Sequence, residues 1–207
     1  MLCINTYVAV AFPKYILSSE VKFPVTIEEN FAVICWLCEN ANSINLNPAK
    51  TVIDGDYSGG NMSTFISMMV KDVGTVDAIK AHALLYLSLA VEPSVFESYN
   101  VYSKEDRFLS AKQAHLCIHE NLGESEIELS ACLTLYLLDT VEQLKGLHLA
   151  LILSNECDTF RNKSKACTVS LPFVGTYTVE MHVLGAIHAY MSTPQYKFTL
   201  KLAIDFI

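Results

Sequence analysis

Residues 55–61, Gly55-Asp56-Tyr57-Ser58-Gly59-Gly60-Asn61, form a glycine-rich turn between two segments of different periodicity. The segment at residues 50–54 before it reads as a strand. After it, Met62, Phe65, Ile66, Met69 and Val70 recur at i, i+3, i+4, i+7 and i+8, which predicts an amphipathic helix. Strand, sharp turn with glycines two positions either side of the apex, then helix is the layout that lifts a nucleophile out of a sheet. The glycines answer to a strained apex and to close passage of neighbouring backbone. The helix start that follows offers amide donors and a positive dipole end to a developing oxyanion. Two other residues stand just after predicted strands: Asp158 after the run at 147–154, and His188 after the run at 177–183. Nucleophile position, acid and histidine in that chain order can share a proton-transfer site, the acid orienting an imidazole that takes and returns a proton. Alone, Asp158 would read as a helix N-cap and His188 as a buried histidine bonded to backbone. The three positions together carry the chemistry.

The elements around them alternate. Residues 7–12 are short, rich in β-branched residues and closed by Pro13, and read as a buried strand. Thr26 opens a helix, with Glu29 three residues on as a capping box, and Ile27, Phe31, Ile34, Cys35 and Cys38 share one face. Residues 81–89 hold a further strand, and helical pieces are predicted near 110–120, 126–138 and 162–167. Thr193 with Pro194 suggests a C-terminal helix, although Phe198, Leu200, Leu202, Ile204 and Phe206 alternate as in a strand. Alternating strands and helices predict an α/β fold with a mostly parallel sheet flanked by helices. Such sheets gather their sites at the carboxyl ends of the strands, where all three candidate positions fall.

Composition narrows the function. Of 207 residues 52% are hydrophobic and 17% charged, which suits one domain with a sizeable core and excludes a disordered chain. A net charge of -8 without clustered Lys and Arg argues against a nucleic-acid partner. The longest apolar stretch, residues 81–91, falls well short of the roughly 20 residues of a membrane span. No basic segment precedes an apolar run at the N-terminus, and seven cysteines without framework spacing read as reduced thiols, so a cytoplasmic location is expected.

The turn is similar to the Gly-Asp-Ser-Ala-Gly-Gly-Asn motif of the hormone-sensitive-lipase-like esterases, a family of α/β-hydrolases. Other stretches agree in order. Tyr15-Ile16-Leu17-Ser18-Ser19-Glu20 with Phe23-Pro24 resembles the family's Tyr-Arg-Leu-Ala-Pro-Glu segment and its later Phe-Pro. Trp36, Asn47-Pro48 and Lys50 match the approach to the turn. Asp158-Thr159-Phe160-Arg161 resembles Asp-Pro-Leu-Arg, whose first residue is the family's triad acid, and Gly185-Ala186-Ile187-His188-Ala189-Tyr190 resembles the Gly-x-x-His-Gly-Phe segment of the triad histidine. The resemblance implies hydrolysis of short- to medium-chain carboxylic esters through an acyl-enzyme, with Asp158 and His188 catalytic and Gly55, Asp56, Gly59 and Gly60 shaping the binding turn. It implies no metal or organic cofactor, a small hydrophobic ester or ligand as partner, and allows a homodimer. Residues 92–145 would be partly a helical cap.

Two departures from the family pattern follow. Tyr57 stands where the nucleophilic serine belongs. A phenol with a pKa of about 10 supplies little phenolate at neutral pH, its ring would project into acyl space, and a bulky residue at positive φ is an outlier. An inactivated esterase, a tyrosine nucleophile, and Ser58 acting one position late all remain open, Ser58 also providing an oxyanion amide. The family's His-Gly-Gly-Gly loop is not matched by residues 1–6, so the pattern is N-terminally incomplete: an α/β-hydrolase fold lacking its first strands and the oxyanion-loop strand. Activity is therefore expected to be weak or absent, leaving a non-catalytic ligand-binding protein, for which the family's plant hormone receptors are a precedent, or a fragment without function of its own.

Smaller signals are read as structural. Cys35-Trp36-Leu37-Cys38 lies two turns inside a helix, away from the N-terminus that stabilises a redox thiolate. His115 and His119, with Cys117 and Glu120 beside them, lack a third metal ligand and read as a solvated helix face, as Glu124, Glu126 and Glu128 read as acidic surface.

Overall fold

The computed structural model describes residues 8–74, 79–87, 96–102, 108–122, 145–146 and 149–190. Its centre is a four-stranded, wholly parallel sheet in the order β1 (Thr51–Asp56), β2 (Ile79–Leu85), β3 (Leu149–Cys157), β4 (Thr178–Ile187). Helix α1 (Val25–Asn40) precedes β1, and α2 (Ser58–Asp72) links β1 to β2. Helices α3 (Glu97–Val101) and α4 (Ala111–Leu122) lie between β2 and β3, and α5 (Arg161–Phe173) links β3 to β4. Sequence and placement agree across the sheet. In the central strands, residues 81–85 of β2 and 150–155 of β3 are buried without a break, as strands covered on both faces must be. Edge strand β1 instead turns Ile53 inward and Asp54 and Asp56 outward.

Two adjoining apolar clusters cover one face of the sheet, Met68 packing against both. In one, Ile27 of α1 and Phe65, Ile66 and Val70 of α2 close over Ile53 and Ile79. In the other, Cys167 and Leu171 of α5 pack on Leu84, Ala150 and Ile152. Leu85, Leu153 and Met181 lie on the opposite face. The periodic face predicted for α2 is thus the buried one, and α5 runs longer than the short helix expected at 162–167.

Several expectations are corrected. Residues 8–12 are not a strand: Val8, Val10 and Phe12 are exposed, and β1 has no outer partner among the described residues. A β-prone run becomes a strand only when it pairs along an edge, and no described strand pairs with it. The capping box does not form either. Thr26 Oγ1 donates to the Ile16 carbonyl and Glu29 Oε2 accepts from the Ile16 amide, both at 2.9 Å, so the two side chains clamp the preceding segment. Strand β2 ends at Leu85, inside the apolar run that reads as continuing to residue 89. The helix expected at 126–138, Glu124, Glu126 and Glu128, and the segment from Thr193 to Phe206 lie outside the described residues. No described helix is long and apolar enough to cross a membrane.

Candidate active site

Each of the four strands delivers a residue at its carboxyl end to one place: Tyr57 after β1, Tyr86 after β2, Asp158 after β3 and His188 after β4. The ladders carry the chain there, since the Tyr57 amide donates to the Leu85 carbonyl at 3.0 Å and the Tyr86 amide to that of Leu153 at 2.8 Å. Strain gathers at the same point. Of the four described non-glycine residues with positive φ, three stand there: Tyr57 (51°), Tyr86 (36°) and Ala189 (57°). Such conformations cost of order 1–3 kcal/mol each and persist where surrounding structure enforces them.

The turn at Tyr57 depends on two glycines. A Cβ on Gly55 would lie 2.2 Å from the Gly59 carbonyl oxygen, and one on Gly60 would lie 2.8 Å from the Leu87 Cβ. Gly59 is different, its nearest neighbour being Asp56 Oδ1 at 3.9 Å, so it is not required sterically. Asp56 accepts from the Tyr86 hydroxyl at 3.4 Å. Ser58 is the first residue of α2, where its amide has no intrahelical partner.

Asp158 and His188 are both buried and meet, His188 Nδ1 lying 2.9 Å from Asp158 Oδ2. The other carboxylate oxygen, Oδ1, accepts from the Phe160 amide at 2.8 Å, closing a tight turn. That turn is tied down from outside. Thr159 Oγ1 donates to the Leu109 carbonyl and Ser98 Oγ to that of Thr159, both at 2.9 Å. On the histidine side, β4 shifts register against β3 between Asn155 and Cys157, and the buried Asn155 donates to the Ile187 carbonyl at 2.7 Å. Carboxylate and imidazole are thereby held as an orienting pair, the form a general base requires.

Aromatic rings occupy the space around the imidazole. Tyr57 meets His188 edge-on at 5.1 Å between centroids, Tyr86 does the same at 5.1 Å, and Phe160 at 5.6 Å. Tyr57 is also stacked on Phe160 at 5.5 Å. Tyr57 and Cys117 line the same cavity. Burial, then Cys117, push the Tyr57 phenol above its ordinary value of 10.0, and burial with Asp56 does the same for Tyr86. A neutral phenol is thus what the surroundings favour. The hydrogen bond given for His188 among the described residues is to Asp158, not to Ser58.

A cavity of about 350 Å3 opens between the turn, α1 and α4, and Tyr57, Ser58 and Cys117 line it. His188 does not line it; the imidazole borders a separate recess of about 10 Å3 beside Tyr102 and Thr159. Tyr57 lines the first and contacts the histidine of the second, standing between them.

Sequence reasoning placed Tyr57, Asp158 and His188 together but missed Tyr86, Phe160 and Cys117. Tyr86 was hidden inside an apolar run that overshoots its strand. Phe160 carried no signal beyond its place two residues after the acid. Cys117 sits on an exposed helix face, as read, but beside the cavity mouth. Cys35 and Cys38 are free thiols toward the C-terminal end of α1, and burial raises Cys38, the opposite of redox activation. No cluster of His, Cys, Asp and Glu suited to a metal occurs among the described residues.

The model of a family described as alpha/beta hydrolase fold matches residues 1–192. An alpha/beta hydrolase of Acanthamoeba polyphaga mimivirus is 28% identical over 204 residues, 96% of this chain and 58% of that protein. An arylesterase of Saccharolobus solfataricus is 26% identical over 183 residues, 87% of this chain and 57% of its own length. Among solved structures, a fungal esterase of Rhizomucor miehei superposes with a TM-score of 0.92 at 34% identity, covering 99% of this chain and 65% of that one. The chain thus spans less than two thirds of the length of each of these relatives. With the turn, the acid and the histidine at the ends of successive parallel strands, the chain belongs to the hormone-sensitive-lipase-like esterase family of the α/β-hydrolases.

Proposed function

We propose that this protein keeps the frame of a carboxylic-ester hydrolase while acyl transfer at position 57 is disabled. One observation carries the reading: the Tyr57 ring lies edge-on against the His188 imidazole, where a serine hydroxyl would have to stand. A nucleophile must hydrogen-bond its base, and the base must reach the substrate cavity. Here the base is oriented by Asp158 but screened from the cavity by the tyrosine. The phenol cannot substitute for serine, because its environment opposes ionisation. Ser58 lines the cavity on the far side of Tyr57, without a contact to His188 among those described.

The test is p-nitrophenyl butyrate hydrolysis by the purified protein and its His188→Ala variant, both shown folded by circular dichroism. Equal background rates are expected. Hydrolysis that disappears with His188 would overturn the reading and make Ser58 or Tyr57 the nucleophile to map. A second reading, binding without turnover, is favoured by the cavity itself. At about 350 Å3 it falls within the roughly 300–1,000 Å3 of small-molecule sites, and Tyr57 is part of its wall.

A further inference from the structure

The end of β4 does not run in one register with β3. Asn155 stands opposite Val183 and Cys157 opposite Ile187, so Glu156 alone faces the three residues Leu184, Gly185 and Ala186. Two residues of β4 are surplus in that span. Continued in the earlier register, β4 would set Gly185 opposite Cys157 and Ala186 opposite Asp158, carrying His188 two residues past the acid. At about 3.3 Å per residue that is roughly 6.6 Å, too far for a hydrogen bond. The bulge takes up the surplus, and His188 Nδ1 lies 2.9 Å from Asp158 Oδ2. We infer that Glu156 is a positioning residue, a latch at the surface whose carboxylate holds this bulge and thereby sets the imidazole against its acid.

Consecutive residues of β3 fasten the bulge. The buried Asn155 side chain donates to the Ile187 carbonyl, next to His188, and Glu156 Oε2 accepts from the Gly185 amide, both at 2.7 Å. Gly185 sits in the middle of the surplus residues with a φ of 68°, a conformation that glycine adopts freely. Packing does not hold it there: nothing lies within 4 Å of an added Cβ, and neighbouring Leu184 is 75% exposed. The carboxylate supplies the restraint instead, through a charge-assisted bond of the stronger kind. Its own backbone is anchored from behind, since the Glu156 carbonyl accepts from Arg161 Nη1 at 3.4 Å. The latch thus runs from α5 through β3 to the bulge, and Tyr57 takes no part in it.

The test reads the ring itself. A carboxylate only accepts, so an imidazole bonded to Asp158 through Nδ1 carries its proton there. Long-range proton–nitrogen NMR spectra of the full chain, with His188→Gln to assign the ring, report which nitrogen is protonated. Wild type and Glu156→Gln, whose amide oxygen still accepts from Gly185, should both show the Nδ1–H form. Glu156→Ala should move the ratio of Nδ1–H to Nε2–H forms roughly 3- to 10-fold toward Nε2–H, the effect of one lost hydrogen bond. Glu156→Asp, one methylene shorter, should follow the alanine variant. The Glu156–Gly185 bond is at the surface, so both variants should fold, which circular dichroism checks. An unchanged ratio in either folded variant, a loss in Glu156→Gln equal to that in Glu156→Ala, or a wild type without the Nδ1–H form would each overturn the inference. Because the ring is observed with Tyr57 in place, these outcomes leave the blocked-nucleophile reading to its own test, His188-dependent hydrolysis.

Discussion

Replacing Tyr57 with serine separates the loss of the nucleophile from the loss of the site. The ring is partly buried, stacked on Phe160 at 5.5 Å and set edge-on to His188 at 5.1 Å. Deleting it withdraws roughly 100 Å2 of apolar contact, worth about 2.5 kcal/mol at about 25 cal/mol/Å2. Two lost aromatic pairs add roughly 1–2 kcal/mol. Backbone strain is unchanged, since serine at a φ of 51° carries the same Cβ. Tyr57→Ser should therefore destabilise by about 3.5–4.5 kcal/mol, which lowers Tm by roughly 7–18 °C for a chain of this size. In return the imidazole, already 2.9 Å from Asp158, gains an adjacent hydroxyl and an opening to the cavity. Positioned general-base catalysis contributes about 100- to 10,000-fold, so p-nitrophenyl butyrate hydrolysis should rise at least about 100-fold over the wild type. With the Ser58 amide as the recognisable oxyanion donor among the described residues, the rate should stay roughly 100- to 1000-fold below that of a site with a second donor. The added activity must vanish in Tyr57→Ser/His188→Ala. A folded single variant no faster than the double variant would refute the claim that Asp158 and His188 form a competent pair. A wild type as fast as Tyr57→Ser would refute the claim that the tyrosine blocks it.

Other perturbations separate steric need from motif membership. Gly55→Ala puts a Cβ 2.2 Å from the Gly59 carbonyl oxygen and should destabilise by about 3 kcal/mol or more in urea unfolding. Gly59→Ala, with nothing nearer than 3.9 Å, should be neutral or slightly stabilising, and equal losses for the two would contradict this geometry. Thr26→Val removes the donor to the Ile16 carbonyl and should cost about 1 kcal/mol, measured as a shift of the urea midpoint at constant slope. His182, 2.8 Å from Ser154 Oγ, is pushed below its ordinary value of 6.5 by burial and then Lys165, with Arg161 acting the same way and Glu180 and Glu156 opposing. The unfolded chain then binds the proton better. Its share of stability is present above about pH 6.5 and lost as pH falls through the lower folded value. His182→Gln should flatten that part of the stability profile, and an unchanged slope would show that other groups produce it.

Much of this molecule is written in local pattern. The helix of α2 follows from five apolar residues at helical spacing, and the parallel sheet from alternation of strand and helix. The sharp turn was announced by the glycines around its apex, of which Gly55 and Gly60, but not Gly59, have neighbours that leave no room for a Cβ. Asp158 and His188 could be named because each follows a strand, and strand ends in such a sheet converge.

Other features depended on what lies opposite. Residues 8–12 have the composition of a strand but pair with no described strand, so they remain outside the sheet. Thr26 and Glu29 have the spacing of a capping box, yet the Ile16 backbone, brought near by the fold, takes both side chains. Tyr86 emerged only when the parallel register ended β2 at Leu85, because an apolar run does not announce where pairing stops. That a tyrosine stands at the apex was plain in the sequence. Where its ring lies depended on Phe160, Cys117 and His188 arriving from separate elements, because a side chain's position is set by the neighbours that exclude it, and those neighbours are distant along the chain.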